Sequence, residues 1–393
     1  MTHPVSFNHL RKGLIQLVSI CHTASYELNA VSESVDAHFD QLCLDELLSP
    51  GMKVVIKPNL LMKRTPEEGT TTHPSLVEAV VKKLQSLGVT DITIADSPGG
   101  VYSKPLLTGI YRATGMENVA RRLDVQLNED VGSTYVSNPN GAVCKGFDLI
   151  NPIVEADFVI SIAKLKTHCM AGLSGAVKNL FGCVPGLTKP EFHWRYPEEK
   201  DFCNMLVDLC ETVKPDITFV DAVVSMEGDG PSSGNLRETG MTLCATSPYE
   251  LDLVLSKIIH RPPEQIYTIV NAAERGLCTL SPENVEVCGD SLLEYEDFKQ
   301  PRSKGIDFMA FVPAPLRSVA KPAVNRFFAP RPQVKKSVCI GCGKCAESCP
   351  AKTIRIENRK AHILHENCIK CYCCHEMCPV KAIHVKRNPI LHL

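Results

Sequence analysis

Two cysteine runs near the C-terminus constrain this chain more than any other feature of its sequence. "CIGCGKCAESCP" begins at Cys339 and "CIKCYCCHEMCP" begins at Cys368, so the pattern C-x2-C-x2-C-x3-C-P recurs with a period of 29 residues. Such a repeat indicates a duplicated structural unit. Of the 19 cysteines, nine lie between Cys339 and Cys378, and the other ten are scattered without CxxC pairs. That distribution argues against a disulfide scaffold and predicts a reducing, cytoplasmic location.

The spacing within each run predicts a [4Fe–4S] cluster, and the two runs together predict two clusters. Three thiolates at this spacing hold one face of a four-iron cube, while the fourth reaches the other cluster. The predicted ligands are Cys339, Cys342, Cys345 and Cys378 for one cluster and Cys368, Cys371, Cys374 and Cys349 for the other. CxxC pairs also bind zinc, but two matching runs that both end in Cys-Pro favour iron. Cys373 lies off the spacing, and we expect it to be a small packed residue or to modulate the polarity around a cluster.

Residues 335–393 resemble the bacterial two-cluster ferredoxins along their whole length. The likeness rests on the cysteine runs and on "TIRIENRKAHILHENC", which supplies the hairpin expected between them. The resemblance implies one-electron transfer at low potential through two clusters in series, and a redox partner protein. This segment carries 11 Lys/Arg against 4 Glu, a formal +7, which leaves −9 for the rest of the chain. Its basic surface differs from that of the usual acidic ferredoxin, and the opposite charges of the two parts favour docking within the chain.

Proline content and charge set the domain organisation and exclude some partners. Six prolines between Pro301 and Pro332 indicate a linker or arm, so we divide the chain into an α/β domain (1–300), a proline-rich linker (301–334) and a ferredoxin domain (335–393). The formal net charge of −2 predicts no binding to nucleic acid. No stretch reaches the about 18 apolar residues of a membrane span. "GLIQLVSICHTASY" is interrupted by His22 and predicts a first strand, Leu14 to Ile20, rather than a signal peptide.

The large N-terminal part alternates short apolar strands with amphipathic helices. "KVVIK", "DITIAD", "DFVISIA" and "DITFVD" are typical of buried strands. "HPSLVEAVVKKLQSLG" places its apolar residues on one helical stripe, with Pro74 near its start and Gly88 past its end. The predicted fold class is α/β with a largely parallel sheet, followed by a small α+β ferredoxin-like (βαββαβ) domain.

Polar side chains cluster where the predicted strands end, which is where ligands bind in an open α/β sheet. Lys57 and Asn59 follow the first strand, Asp96 ends the second, Lys164, Lys166 and His168 follow the third, and Asp221 and Glu227 follow the fourth. Lys178 lies in "AGLSGAVKNLFG", where glycines bring backbone amides close to an anion at the start of a helix, Ser174 to Leu180. We predict that Lys164, Lys166, Lys178 and His168 form a cationic wall for a small anionic ligand, with Asp96 and Asp221 opposite. Glu227 either coordinates a cation or accepts a proton, or its glycine-rich loop is only a turn.

The large part resembles the iron–sulfur centre protein family that carries domain of unknown function 362. The likeness rests on "VVIKPNLL", "TTHPSLVEAV", "IADSPGG", "KLKTHCMAGLSGAVKNLFGCVPG" and "FVDAVVSMEGDGP". More distantly, the order His168, Ala-Gly-Leu-Ser-Gly, Lys178 is similar to that of the nickel-dependent lactate racemases. That resemblance implies proton transfer by His168, a nickel pincer nucleotide anchored on Lys178, and nickel ligation by His193. Asp96 stands where those enzymes have a further catalytic histidine.

Three functional hypotheses follow. The chain is an oxidoreductase whose clusters exchange electrons with an anionic substrate or cofactor, an electron carrier whose large domain only docks a partner, or a racemase-like or isomerase-like enzyme. The catalytic candidates are His168, Lys178, Asp96, Asp221 and Glu227, and the candidates for cofactor binding are Lys57, Asn59, Lys164, Lys166 and His193. No G-x-G-x-x-G follows a strand, so a nicotinamide site is not supported. Flavin and a nickel pincer nucleotide stay open as a further cofactor.

Overall fold

The computed structural model describes residues 17–303 and 330–386. In these ranges the strands are β1 (Leu17–His22), β2 (Lys53–Pro58), β3 (Asp91–Ile94), β4 (Gln126–Leu127), β5 (Ser133–Ser137), β6 (Gly146–Ile150), β7 (Phe158–His168), β8 (Gly172–Ser174), β9 (Ile217–Glu227), β10 (Asn235–Ala245), β11 (Glu286–Gly289), β12 (Arg331–Val334), β13 (Ile354–Glu357), β14 (Lys360–Ile363) and β15 (Ile383–Lys386). The helices are α1 (Leu28–Gln41), α2 (Pro74–Ser86), α3 (Lys104–Ala113), α4 (Met116–Leu123), α5 (Asn151–Val154), α6 (Ala176–Asn179), α7 (Thr188–Arg195), α8 (Glu199–Val213), α9 (Pro248–Ile258), α10 (Tyr267–Glu274), α11 (Lys344–Glu347) and α12 (Cys373–Glu376). Short 3₁₀ turns lie at Leu44–Leu47, Pro66–Glu68, Leu180–Cys183, Pro263–Gln265, Pro282–Asn284 and His365–Asn367.

A nine-stranded sheet organises the large domain. Its order is β11-β1-β10-β9-β7-β2-β3-β4, and β8 pairs with β7 beside this path. The strands β4, β3, β2, β7 and β9 run parallel, whereas β10 is antiparallel to both β9 and β1. Because helices cover a parallel sheet on both faces, its strands are apolar on both faces. The predicted α/β fold with a largely parallel sheet is confirmed.

Helix α2 shows how the sequence pattern positions an element on this sheet. Its apolar stripe, which includes Leu76, Val80 and Leu84, is fully buried in the core cluster that also contains the sheet residues Val54 and Ile56. Pro74 occupies the first turn, where its missing N–H does no harm, and Gly88 follows the helix at φ 82°. The helix therefore starts beside the carboxyl end of β2, close to the predicted site.

The strands β7 and β9 are longer than the sequence predicts. Lys164, Lys166 and His168 lie within β7 rather than after it, and Asp221 and Glu227 lie within β9. The extension of β7 is stabilised by β8, which pairs Lys166 with Ser174, and by β9, which pairs Lys164 with Asp221. Lys164 and Asp221 are therefore buried between β7 and β9. A search for apolar runs ends the strands before these polar residues and so does not predict it.

The C-terminal domain has the order β12-α11-β13-β14-α12-β15, so the predicted ferredoxin-like βαββαβ arrangement is confirmed. The hairpin predicted between the cysteine runs is β13 and β14, with Ile354 opposite Ile363. Ala361, Ala382 and Ile383 form a small apolar core together with five of the predicted ligand cysteines. This domain therefore has a core of its own.

Two predictions fall partly outside the described residues. Of the predicted first strand, Leu14 to Ile20, only the part from Leu17 is described, and it belongs to β1. Most of the predicted linker, 301–334, lies in the range 304–329, which is not described. Within the described parts of the chain, no helix has the length and apolar character that a membrane crossing requires.

Candidate functional site

The eight predicted ligand cysteines line two separate cavities in the C-terminal domain. The first, which we call the outer cage, is lined by Cys339, Cys342, Cys345 and Cys378. The second, the inner cage, is lined by Cys349, Cys368, Cys371 and Cys374. Each cage thus combines three cysteines of one run with the last cysteine of the other run. This is the interchange expected for a two-cluster ferredoxin.

The thiols of the cages also have the surroundings that a cluster requires. The backbone N–H groups of Ala382 and Ala361 point at Cys378 Sγ and Cys339 Sγ, at 3.1 and 3.3 Å, and that of Thr353 points at Cys349 Sγ at 3.4 Å. Hydrogen bonds to the sulfurs stabilise their negative charge and tune a cluster's potential. The four-thiol sets therefore fit [4Fe–4S] clusters, which would supply one-electron transfer.

The second cysteine run, which ends at Cys378, is also the part of this domain that docks on the large domain. Arg64 donates from its guanidinium to the carbonyl oxygens of Cys378 and Pro379, at 3.1 and 3.0 Å. Ser232 Oγ donates to the carbonyl oxygen of Glu376 at 2.7 Å. Cys373, at 6% exposure, belongs to an apolar cluster shared with the large domain and lines neither cage. The α12 region therefore forms the contact between the two domains.

We call the region at the carboxyl ends of the parallel strands, where the ligand site is predicted, the crevice. In this region Lys57 and Asp96 form a buried ion pair. Lys57 Nζ lies 2.6 Å from Asp96 Oδ1, and both side chains are at most 3% exposed. Asp96 Oδ2 also accepts from the Leu60 backbone N–H at 3.0 Å. A Cβ on Gly182 would lie 2.0 Å from Asp96 Oδ1, so only glycine leaves room for this pair. The pair fixes the carboxyl end of β2 against the loop after β3.

A second buried pair joins Lys164 and Asp221, at 2.9 Å. Lys164 Nζ donates to Tyr26 Oη at 2.6 Å, and Tyr26 Oη donates to Asp221 Oδ1 at 2.7 Å. The His73 ring stacks on Tyr26 with centroids 3.7 Å apart. Burial lowers the pKa of Lys164, and Asp221 opposes that shift. The predicted carboxylates thus neutralise the predicted cations directly rather than face them across a ligand.

Lys166 and His168 lie deeper along β7. Lys166 Nζ donates to Asn59 Oδ1 and to the Thr70 carbonyl oxygen, at 2.7 and 2.6 Å, and burial lowers its pKa to about 7. His168 Nδ1 accepts from two backbone N–H groups at 3.1 Å, so its hydrogen is on Nε2, 3.5 Å from Glu376 Oε2. Burial and the Lys178 charge lower the pKa of His168 to about 3. At neutral pH this imidazole is uncharged and points toward the ferredoxin domain.

A cavity of about 300 Å³ lies between the two domains, and we call it the interdomain cavity. The large domain contributes Lys178, Lys189 and His193, and the ferredoxin domain contributes Cys373, Glu376 and Met377. Most of the remaining wall is apolar and includes Met62, Leu106, Ile110, Phe181 and Leu187. Its size lies at the lower end of the range for small-molecule sites. The arrangement suits a compact ligand with an apolar body and a charged group.

The charged groups of this cavity differ in their partners. Lys178 Nζ lies 5.6 Å from the centroid of the Phe181 ring. Lys189 Nζ donates to the Ser97 carbonyl oxygen at 2.5 Å, and burial lowers its pKa to about 7. His193 stacks on Phe202, and burial lowers its pKa to about 3. Burial alone would raise the pKa of Glu376, but the contact with His168 and the Lys178 charge hold it below its usual value.

The prediction of a ligand anion at the start of the helix after β8 is wrong. The helix is only α6, and the backbone N–H groups of Ala176 and Val177 donate to the Asp252 carboxylate at 2.6 and 3.2 Å. Burial raises the pKa of Asp252 to about 7, although these two N–H groups oppose the shift. The anion that the glycine-rich sequence accommodates is therefore a side chain of the protein itself.

Glu227 lies apart from the lysines of the crevice. Its carboxylate pairs with Lys299 Nζ at 3.2 Å and accepts from the Lys299 backbone N–H at 3.1 Å. Conversely, sequence reasoning missed Lys189 and Glu376, which line the interdomain cavity. The one available signal for Glu376 was an acidic residue inside an otherwise basic cysteine run. Lys189 lies on α7, which carries no clear apolar pattern.

Comparison with known proteins identifies both parts of the chain. Residues 54–257 match the family model described as "Domain of unknown function (DUF362)", and residues 331–379 match that of a 4Fe–4S dicluster domain. Both resemblances predicted from the motifs are thereby confirmed. The thylakoid-associated protein sll1697 of Synechocystis sp. is 29% identical over 335 residues, covering 84% of this chain and 100% of the relative.

Solved structures show weaker likenesses. Lactate racemase apoprotein from Thermoanaerobacterium thermosaccharolyticum aligns with a TM-score of 0.39 and 15% identity, over 63% of this chain and 57% of the racemase. A Thermotoga maritima protein aligns with a TM-score of 0.34 and 14% identity, over 52% of each chain. This chain therefore spans little more than half the length of either protein. At these TM-scores the likenesses carry no information on function.

Proposed function

Because the chain belongs to the DUF362 family and ends in a 4Fe–4S ferredoxin-type domain, which makes it an iron–sulfur electron-transfer protein, we propose that it is an oxidoreductase. Its outer and inner cages hold two [4Fe–4S] clusters, and these exchange electrons with an anionic ligand in the interdomain cavity. The observation that supports this function is the shared wall of that cavity, to which both domains contribute side chains.

The position of the cavity relative to the cages favours electron exchange. Cys373 lines the cavity and is the neighbour in sequence of Cys374, an inner-cage thiol. Pro379 lines both the cavity and the outer cage, directly after Cys378. A ligand in the cavity would thus lie one residue from thiols of both cages.

The charge of the cavity lining favours an anionic ligand. The lining contains Lys63, Lys178, Lys189 and Lys344 against two carboxylates, Glu347, which pairs with Lys344, and Glu376, which lies near Lys178. A carboxylate or phosphate on the ligand would bind the lysines that these two carboxylates leave in excess. Charge-assisted hydrogen bonds of this kind contribute about 1.5–3 kcal/mol each. The apolar wall would contact the carbon body of the ligand.

The test compares wild type, Lys178→Ala and Lys200→Ala after anaerobic purification. Lys200 is exposed and pairs with Glu274, so the control loses the same charge outside the cavity. Native mass spectrometry should find a copurified anion whose occupancy falls roughly tenfold to a hundredfold in Lys178→Ala only. The visible spectrum of the clusters should not change in either variant.

The other outcomes distinguish the remaining hypotheses. Equal ligand content in the three proteins, or no ligand in wild type, would contradict the oxidoreductase and leave the large domain as a docking module. A covalent mass adduct on Lys178 of wild type would instead identify an anchored cofactor of the pincer type.

A further inference from the structure

One edge of the outer cage is exposed on the surface of the ferredoxin domain. Cys342 is exposed, whereas Cys368 is half-buried and the other six cage cysteines are buried. Two apolar side chains that line the same cage, Ile340 and Ile356, are 54% and 37% exposed. We call the surface formed by Ile340, Cys342, Ile356, Lys336 and Arg359 the outer face. It contains Cys342, the cage cysteine that is most exposed.

Basic residues are held around this apolar centre. Lys360 Nζ donates to the Cys339 carbonyl oxygen at 2.6 Å, and Lys336 Nζ donates to the Ala361 carbonyl oxygen at 2.5 Å. The backbone of Arg359 lies against Gly341, so closely that a Cβ there would be 2.4 Å from the Arg359 carbonyl oxygen. Arg359 therefore lies beside the segment from Ile340 to Cys342, and its residue is exposed.

Few carboxylates offset these cations. Residues 330–386 carry 11 Lys/Arg and 4 Glu, without Asp. Of the four, Glu376 lines the interdomain cavity, and Glu347 pairs with Lys344 at 2.8 Å. Glu357 is opposite Lys360 in the hairpin, and Glu366 lies in the turn His365–Asn367, directly before the inner-cage residue Cys368. The outer face therefore presents a net positive rim.

We propose that the outer face is the docking surface for a small acidic one-electron carrier protein. An apolar centre within a charged rim is the usual anatomy of a protein–protein interface. Positive charge around it steers an acidic partner to this face and repels basic ones. One electron would pass between the partner and the outer cage, so that one protein is oxidised and the other reduced by one electron, and no bond is formed or broken. None of the five residues that define the outer face lines the interdomain cavity, and the proposal goes beyond the proposed function.

The observations favour a protein over a nucleic acid as the partner. Ile340 and Ile356 offer apolar contacts that phosphate groups do not match, and the described part of the domain has no exposed aromatic side chain on this face on which bases could stack. Binding to nucleic acid is nevertheless included as an outcome of the test.

The test measures binding, by calorimetry, of the cluster-loaded full-length protein to a purified acidic flavodoxin at low and high salt. Two variants carry the same change in the same hairpin. Arg359→Glu alters the outer face, while Arg355→Glu alters the opposite side of the strand, because Arg355 alternates with the cage-lining Ile354 and Ile356. Iron content and the visible spectrum confirm that each variant retains its clusters.

We expect Arg359→Glu to weaken binding at least about fivefold and Arg355→Glu less than about twofold, and added salt to weaken wild-type binding. Ile340→Ser should weaken binding without changing the salt dependence, because it removes an apolar contact only. Equal losses in the two arginine variants, salt-independent binding, or binding to basic cytochrome c or duplex DNA as tight as to flavodoxin would each overturn the proposal.

Discussion

The buried lysines of the crevice are balanced in different ways, and this decides which of them can bind a ligand. Lys57 and Lys164 each lie within 3 Å of a carboxylate, at 2.6 and 2.9 Å. Removing one partner of a buried ion pair typically costs about 3–5 kcal/mol because the other charge is left uncompensated. Substitution of these lysines would therefore report on folding. Lys178, which lines the interdomain cavity and contacts the Phe181 ring, is the lysine whose substitution reports on binding.

The cage assignment predicts different results for two adjacent cysteines. Cys374 lines the inner cage, whereas Cys373 lines the interdomain cavity. Anaerobically purified wild type should contain about eight irons per chain, and Cys374→Ser about four, because one four-iron cluster loses a ligand. Iron and acid-labile sulfide analysis measures both values.

Cys373→Ser is the matched control for this prediction. It makes the same change one residue away and should keep about eight irons, since Cys373 belongs to neither four-thiol set. Loss of iron from the Cys373 variant, or full iron content in the Cys374 variant, would refute the assignment of the inner cage.

For single residues, the sequence predicts which side chains belong to the site better than it predicts which side chains they pair with. Strand-end positions identified Lys57, Asp96 and Lys164 as neighbours in one crevice, because parallel strands end at the same edge of the sheet. They did not predict that Lys57 would pair with Asp96, which depends on the space left by Gly182. Glu376 was missed because its contact with His168 forms only when the two domains dock.

Among the elements, α12 and the residues after it connect the two cages to the large domain. Arg64 reaches from the loop after β2 to the carbonyl oxygens of Cys378 and Pro379. Arg64→Ala would leave these two acceptors without their donor and should loosen the contact. We expect amide hydrogen exchange in residues 373–379 to become at least about twofold faster, while the exchange of α2 stays unchanged.

Arg121→Ala provides the comparison for this experiment. Arg121 is exposed on α4, where it donates to Asn118 at 3.2 Å, so its loss removes the same side chain without touching the domain contact. If both variants exchange at the wild-type rate in residues 373–379, Arg64 does not hold the ferredoxin domain in place.

The elements that sequence patterns predict are those with a single strong periodicity. α2 and the strands β2 and β3 lie where their apolar patterns place them. β7 and β9 extend further, because their polar halves are satisfied by each other and by β8, which no local pattern encodes. The first N–H groups of α6 donate to Asp252 from α9, a contact between distant segments that no local pattern encodes either.

In the whole molecule, one charged contact between the two domains runs against their formal charges. The ferredoxin segment is formally +7 and the remainder −9, yet the ferredoxin domain inserts the carboxylate of Glu376 beside Lys178 and His168. The opposite net charges of the two parts therefore favour their association, but they do not predict which charged residues meet at the contact. The basic residues of the outer face, such as Lys336 and Arg359, do not line the interdomain cavity, so they stay available to a partner.

The organisation of the whole molecule predicts that the isolated ferredoxin domain folds, but that its clusters are less protected from air than those of the full chain. A fragment of residues 331–393 contains β12, which pairs with β15, and the apolar core around Ala361 and Ala382. It should therefore assemble about eight irons when reconstituted without oxygen. In the full chain, Cys371, Tyr372 and Cys373 pack in an apolar cluster with Phe181 of the large domain. The fragment lacks this cover, so its inner-cage cluster should lose colour in air faster than that of the full chain.

The outer cage serves as the internal reference for that comparison, because Cys342 is exposed in the full chain as well. In a Cys374→Ser background, which leaves only the outer-cage cluster, fragment and full chain should bleach at the same rate. In a Cys342→Ser background, which leaves the inner-cage cluster, the fragment should bleach faster. A fragment without iron would show that the large domain is needed for folding. Equal bleaching rates in both backgrounds would show that the domain contact does not shield the inner cage. The contact would then serve only to form the interdomain cavity, where the proposed ligand exchanges electrons with the clusters.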